Sequence, residues 1–209
     1  MRIGGFVPLS LCDFPGKVAA VVFTQGCNFR CPICHNGQLL PRQGEGEQTE
    51  EAILARIRAR RQQLEGVVVT GGEPTLHGDL PQFLWQLRAC GLAVKLDTNG
   101  SQPDMLQALL ADRLVDYVAM DIKAPWDMYD RLAGQLCDTR LVRRSMRLIA
   151  ESGLAHEFRT TRADALLSEA DCHRLAGQIP PGSTHKWQRF RPEYCLDAAL
   201  RGDRPVVKV

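Results

Sequence analysis

Six short runs rich in β-branched and apolar residues recur along the chain: "KVAAVVFT" (17–24), "GVVVT" (66–70), "LAVKLDT" (92–98), "DYVAMDI" (116–122), "HEFRTT" (156–161) and "KWQRF" (186–190). They predict six strands of a mostly buried, mostly parallel sheet. Between them the apolar spacing changes to that of helices. Residues 49–64 open with a Thr N-cap and two glutamates, carry Ile53, Leu54 and Ile57 on one face and turn most of their arginines to the other. Further helices are predicted at 80–90, ended by Gly91, and at 103–110, 138–152 and 169–179. Alternating strands and helices imply βαβ units with right-handed crossovers. Six such units, with no room for eight, predict an α/β fold that is an open, partial (β/α)6 barrel. Its chemistry would then sit at the C-terminal ends of the strands.

Composition narrows the class. A chain of 209 residues with 44% hydrophobic content can bury one sizeable core, so a single domain over 1–209 is expected. The 26 basic and 24 acidic residues leave a formal charge of +2 spread along the chain, which argues against a nucleic-acid footprint or a polybasic membrane anchor. The N-terminal "MRIGGFVPLSLCDF" is broken by Pro8 and Asp13 and does not read as a signal peptide, and apolar runs near six residues are too short to span a membrane. A cytoplasmic setting follows, in which clustered thiols bind metal or do chemistry more often than they form disulfides. Five of the eight cysteines, Cys12, Cys90, Cys137, Cys172 and Cys195, are scattered and read as small buried hydrophobes. Trp85, Trp126 and Trp187 read as core or rim packing, and His77, His156, His173 and His185 show no pairing pattern.

The polar, glycine-rich signals fall where a barrel would put its chemistry. A cysteine cluster follows the first predicted strand, "GGEP" (71–74) the second, "DTNG" (97–100) the third, "DIK" (121–123) the fourth and "RTT" (159–161) the fifth. Each alone could be an ordinary turn. Their shared position on one rim is the stronger observation.

Within "TQGCNFRCPICHN", Cys27, Cys31 and Cys34 form C-x3-C-x2-C. Closely spaced thiolates suit zinc or an iron–sulfur centre. Structural zinc wants four protein ligands, and the nearest fourth donor, His35, adjoins Cys34, where neighbouring side chains rarely reach one metal. A [4Fe–4S] cluster on three cysteines keeps one iron open for a substrate or cofactor. The spacing points to S-adenosylmethionine as that cofactor.

The spacing, followed at a distance by "GGE", resembles the radical S-adenosylmethionine enzymes over the whole chain. In that family the open iron takes the amino and carboxylate groups of the methionine moiety. One electron from the reduced cluster then breaks a sulfur–carbon bond to give a 5′-deoxyadenosyl radical. Within the family, "SLCDFPGK", "CNFRCPICHN", "GGEPTLH", "LDTNG" and "VAMDIKAP" resemble the glycyl-radical-enzyme activases. The implied partner is an anaerobic ribonucleoside-triphosphate reductase, and the implied electron donor is a flavodoxin or ferredoxin. Two departures stand out: Ile33 where most relatives carry an aromatic residue, and Cys12 where an apolar residue is usual.

The resemblance and the side-chain chemistry together assign roles. Gly71 and Gly72 leave their backbone open to close approach, so their carbonyls and the Glu73 carboxylate can accept from the methionine ammonium; a turn stiffened by Pro74 is the other reading. Asp97 and Asn99 suit ribose hydroxyls or the polar end of the cofactor, and Asp121 and Lys123 share a strand face, with Lys123 set to pair with the cofactor carboxylate. Arg159 and Gln188 are further cofactor candidates. The resemblance also implies a monovalent cation held by groups matching Asp97, Thr98 and Asp121. An open six-unit barrel cannot enclose a radical unaided, which favours a protein substrate covering it, gripped by "LLPRQGEGEQ" (39–48) and "RPEYCLDAALRGDRP" (191–205). The competing functions are a radical enzyme acting on a small molecule and a non-catalytic zinc-binding protein.

Overall fold

The computed structural model describes residues 1–44 and 48–201. Seven strands form one sheet in sequential order: β1 (Ile3–Ser10), β2 (Ala19–Thr24), β3 (Gly66–Gly71), β4 (Ala93–Thr98), β5 (Tyr117–Asp121), β6 (Ala155–Arg162) and β7 (Thr184–Arg189). From β2 to β7 every pairing is parallel, and β1 runs antiparallel along β2. β1 and β7 are the two edges, so the barrel stays open. The six predicted strands are β2 to β7; β1 was not foreseen. Pro8 and the glycines at 4 and 5 obscured it, yet a proline is tolerated on an edge strand, and a register shift between Val7 and Ser10 accommodates it.

The helices form where local chemistry places them. α1 (Glu50–Ala59) starts at Thr49, whose hydroxyl accepts from the Ala52 amide, and buries Ile53, Leu54 and Ile57. It ends before the expected residue 64, because the chain tightens into a short turn at Arg61–Gln63 and the Arg61 side chain caps the Cys90 and Gly91 carbonyls. α2 (Leu80–Ala89) and α3 (Pro103–Ala111) carry a proline in their first turns. α4 (Tyr129–Ala133) is one turn too short to leave a periodic signal. α5 (Thr139–Glu151) begins at the Asp138 cap. α6 (Glu169–Ala176) has a capping box between Ser168 and Asp171 and stops at Gly177, three residues short of the expected end at 179.

Two apolar clusters result. The larger fills the space between the outer face of the sheet and the helices, around Val22, Val69, Leu96, Phe158 and Leu84. The smaller lies inside the barrel, where Phe14, Ala19, Val21 and Val68 pack with Phe23, Ala93 and Tyr117. Above that apolar floor the interior of β4 to β6 becomes charged. Cys172 and Cys195 are buried as expected, Cys90 and Cys137 are half-buried, and Cys12 is exposed on the turn after β1. Trp126 packs on Tyr129, whereas Trp85 is 63% exposed on α2 and Trp187 is 42% exposed on β7. Among the described residues no helix is long and apolar enough to cross a membrane.

α2 offers a direct check of this layering. Leu84→Ala should cost about 2–5 kcal/mol in urea unfolding, because its fully buried side chain leaves a cavity, while its neighbour Trp85→Ala should stay within about 0.5 kcal/mol.

Candidate functional site

The rim formed by the C-terminal ends of β2 to β6 gathers most of the predicted residues. The loop after β2 carries Cys27, Cys31 and Cys34, and its geometry is set by its neighbours. Gly26 and Cys27 donate to the carbonyls of Leu39 and Leu40 (2.8 and 3.2 Å), Arg30 donates its amide to Ala133 at the end of α4 (2.8 Å), and Phe29 is 2% exposed in the main core. The Cys34 amide donates to the Cys31 carbonyl (3.0 Å), closing the turn that brings the second and third cysteines together.

The "GGE" element holds this loop. Gly72 donates to Thr24 (2.9 Å) and Glu73 to Gly26 (2.8 Å). A Cβ on Gly71 would fall 2.3 Å from the Thr24 nitrogen, and one on Gly72 would fall 2.1 Å from the Gly26 oxygen. The two glycines are therefore needed where β3 abuts the start of the cysteine loop. That is a different reason from the open approach to a cofactor expected of them.

The Glu73 side chain also departs from expectation. It is 1% exposed, and its carboxylate accepts from the Thr75 amide (3.1 Å), the Thr75 hydroxyl (2.5 Å), the Thr98 hydroxyl (2.7 Å) and the Asn99 amide (2.6 Å). Three donors converge on Oε1 and one reaches Oε2, so the carboxylate is held mainly by its own fold. Burial raises its pKa, opposed by the donors from Thr75, Asn99 and Thr98. Asn99 is likewise committed: its side-chain Nδ2 donates to the Asn28 side-chain oxygen in the cysteine loop (2.9 Å), and its own side-chain oxygen accepts from the Ser101 amide (2.9 Å). Asn28 in turn donates to the Ser101 hydroxyl (2.8 Å). Glu73, Thr98 and Asn99 thus position the loop, and Asn28 and Ser101 join them unforeseen.

On the inner face of β4 to β6, acidic and basic side chains alternate. Lys95 pairs with Asp97 (2.5 Å), Asp97 with Arg159 (3.2 Å), Arg159 with Asp121 (2.9 Å) and Asp121 with Lys123 (3.0 Å). Tyr117 donates to Glu157 (2.8 Å), which also pairs with Lys186 (2.6 Å). Lys95, 2% exposed, was missed, although a lysine two residues before Asp97 in an apolar strand must share its face. Burial alone would raise the Asp121 pKa, but Arg159 and Lys123 outweigh it and hold the carboxyl far below the usual range. Burial would lower Lys123, and Asp121 followed by Cys31 reverses it, so the ammonium is locked in its charged form.

The oxygens that the resemblance implies for a monovalent cation are engaged within the protein. All four oxygens of Asp97 and Asp121 already face Lys95, Arg159 or Lys123. The Thr98 hydroxyl lies across the strand on Glu73. Gln188 sits apart from the array, beside Thr161 in the wall of a groove.

The cysteines do fit an iron–sulfur cluster. They supply three soft donors from one loop, and Lys123 lies within electrostatic reach of both Cys27 and Cys31. Burial, then the charge of Glu73, pushes the Cys27 thiol up to about 12, and burial raises Cys31 against the opposing charge of Lys123. Without iron these thiols hold their protons at neutral pH, and ligation releases them. Among the described residues no three His, Cys, Asp or Glu side chains converge as they would on a single ion. A four-iron cluster takes each thiolate at a separate corner and so holds its ligands farther apart.

Beside the loop a groove of 1180 Å³ occupies the gap between β1 and β7, lined by residues such as Gly5, Val7, Phe23, His35, Arg189 and Tyr194. His35, next to Cys34, stacks on Phe190 at 5.9 Å and meets Tyr194 edge-on at 6.5 Å. Asp197 donates its amide to the Pro32 carbonyl (2.9 Å), which docks the described part of the C-terminal segment on the cysteine loop. The segments expected to grip a partner lie partly outside the described residues, at 45–47 and 202–205.

A sequence model of the Radical SAM superfamily matches residues 21–175. The chain is 30% identical over 207 residues to a protein of Methanocaldococcus jannaschii named as a glycyl-radical enzyme activating enzyme, covering 95% of this chain and 84% of that one. It is 33% identical over 132 residues to 7-carboxy-7-deazaguanine synthase of Methanopyrus kandleri, covering 54% of this chain and spanning only 52% of that relative. The fold matches the crystal structure of Streptococcus suis SuiB bound to S-adenosylmethionine with a TM-score of 0.63 at 14% identity, over 80% of this chain and 39% of that one.

Glu73→Gln separates a positioning role from direct cofactor contact. It should lower the unfolding free energy of the cluster-free protein by about 1–3 kcal/mol, since an amide cannot accept from every buried donor around it. Unchanged stability combined with lost S-adenosylmethionine affinity would instead put the carboxylate on the cofactor.

Proposed function

The chain belongs to the Radical SAM superfamily and, within it, to the glycyl-radical enzyme activases; from that premise we propose that it generates the glycyl radical of an anaerobic ribonucleoside-triphosphate reductase. The observation that carries this reading is the 1180 Å³ groove beside the cysteine loop, lined by His35 next to Cys34 and large enough in volume to take a polypeptide segment.

A [4Fe–4S] cluster with S-adenosylmethionine would supply, when bound, the one-electron reductive cleavage and the hydrogen-abstracting power that removal of a hydrogen atom from a glycine Cα requires. Cys27, Cys31 and Cys34 would hold the cluster, with the ammonium of Lys123 within electrostatic reach of Cys27 and Cys31. The array from Lys95 to Lys123 sets three cationic groups against two carboxylates, which leaves one positive charge for the cofactor carboxylate. Glu73, Asn99 and Asn28 keep the loop in register with that array, and the docked partner excludes water from the groove. A flavodoxin or ferredoxin supplies the electron, and the reaction belongs to the cytoplasm.

The similarity to 7-carboxy-7-deazaguanine synthase supports a second reading, a small-molecule substrate in the same site. Anaerobic incubation of the reconstituted protein with the reductase, S-adenosylmethionine and a reductant tests the two. A glycine-centred doublet in electron paramagnetic resonance, with 5′-deoxyadenosine above the uncoupled background, is expected. Stimulation by a small metabolite and not by the reductase would favour the second.

Cys31→Ala should lose the four-iron absorbance and all cofactor cleavage, whereas Cys90→Ala should keep both. Lys123→Ala should retain iron while weakening S-adenosylmethionine by about 1.5–3 kcal/mol, the size of a charge-assisted contact, in a titration of the cluster signal. Asp97→Ala should unfold the protein more readily instead of acting on the cofactor alone, because it strips a partner from two largely buried cations, Lys95 and Arg159.

A further inference from the structure

The gap between β1 and β7 is a pair of sheet edges as well as a cavity. β1 has a strand on one side only, and its first residue already shows that the free edge accepts a neighbour: Gln48 bridges Ile3, donating its amide to the Ile3 carbonyl at 2.9 Å. From Gly4 to Val7 the strand then runs along the wall of the groove. Gly5 and Val7 pair with Phe23 and Val21, two of the residues that face the barrel interior, so in a closed barrel they would be covered. Here Val7 is 39% exposed.

Gly5 has no internal reason to be glycine. Its φ is not positive, and a Cβ there would meet the Phe23 side chain at 3.5 Å, an ordinary van der Waals contact. What the absent side chain provides is room over the groove floor, the condition under which a second backbone can lie close to a strand.

The opposite wall and its cap are basic. Arg189 follows Gln188 at the end of β7, Arg191 follows β7, and Arg201 closes the described chain, with Glu193 as the one carboxylate lining the groove among the described residues. Arg201 donates to the Cys195 and Leu196 carbonyls, which are neutral, so its charge is not cancelled by them. A free strand edge with an apolar floor on one side and three guanidinium groups on the other matches an extended polypeptide that carries carboxylates.

We propose that the partner protein docks by strand addition: an extended, acidic segment flanking its reactive glycine pairs with the free edge of β1 across Gly5, with its carboxylates on Arg189, Arg191 and Arg201. This rests on the activase reading and specifies how the protein substrate is recognised. Backbone pairing supplies affinity that depends little on side chains, and the arginines select for charge. The mode leaves the reactive glycine itself free of the sheet, to reach the rim beside His35 and the cysteines.

The test uses reconstituted protein and the fluorescently labelled reductase, with binding read by anisotropy. Arg189→Glu combined with Arg191→Glu should weaken binding about tenfold or more and flatten its salt dependence. Gly5→Leu should weaken it comparably by filling the groove floor. Both should keep wild-type iron content, S-adenosylmethionine affinity and uncoupled 5′-deoxyadenosine formation. Hydrogen–deuterium exchange gives a readout specific to strand addition: reductase binding should protect β1 amides between Gly5 and Val7. If Gly5→Leu fails to fold, the arginine variant and the exchange experiment decide. Normal affinity in the arginine variant, or unprotected β1 amides in a complex that still yields the glycine doublet, would overturn strand addition while leaving the activase reading intact. A wild-type protein that neither binds the reductase nor produces the doublet would overturn both.

Discussion

One buried carboxylate ties the working parts of this protein together. Glu73 leaves β3 and accepts from Thr75, Thr98 and Asn99, so the ends of β3 and β4 are fixed to a single acceptor. Its own amide grips Gly26 at the entrance to the cysteine loop, and through Asn99 its influence extends to Asn28 inside that loop. Carboxylates are expensive to bury without hydrogen-bond donors, and here the donors come from the elements that must hold register. A loop with three cysteines in eight residues has little structure of its own. Its precision is borrowed from this node and from the tight contact that Gly71 and Gly72 permit.

A second node, the charged array, faces the other side of the same strands. Thr98 and Asn99 serve Glu73, while Asp97, one residue earlier, serves Lys95 and Arg159. The alternation of a β-strand thus lets one short motif, "DTNG", hold the loop and build the polar floor at once. Buried ion pairs contribute little net stability, since their attraction is offset by the loss of hydration. Their value here is orientation. Each carboxylate is held between two cations, so the side chains are preorganised before any ligand arrives and need not be ordered by it.

The parallel sheet, its open character and the rim on which the chemistry falls were legible because strand and helix periods differ and the strands are buried on both faces. The C-x3-C-x2-C motif stands out by its spacing alone. What could not be read were pairings between distant residues. Nothing near Glu73 announces that its partners lie at Thr98 and Asn99, and an element whose glutamate could bind a ligand looks the same in sequence as one whose glutamate is held by its own fold. β1 was hidden by Pro8 and two glycines, features that count against a strand except at an edge. Lys95 was readable but overlooked, since a lysine inside an apolar strand needs a buried counter-charge, and Asp97 stands at the position that alternation supplies.

That β1 is an edge is what joins the fold to its proposed chemistry. A closed barrel would satisfy every strand and bury Val7, but it would also seal the rim against anything larger than a metabolite. Leaving β1 and β7 unpaired exposes backbone donors and acceptors along with an apolar floor, a combination that ordinarily invites aggregation. Pro8 and the register shift beside it limit how far a neighbouring strand could extend along β1, and the arginines across the gap repel a second copy of the same basic wall. The open edge is therefore protected against indiscriminate pairing while remaining open to a short segment of the opposite charge. Such a segment would complete the barrel and cover the radical in one step, and an unpartnered groove would leave the rim wet.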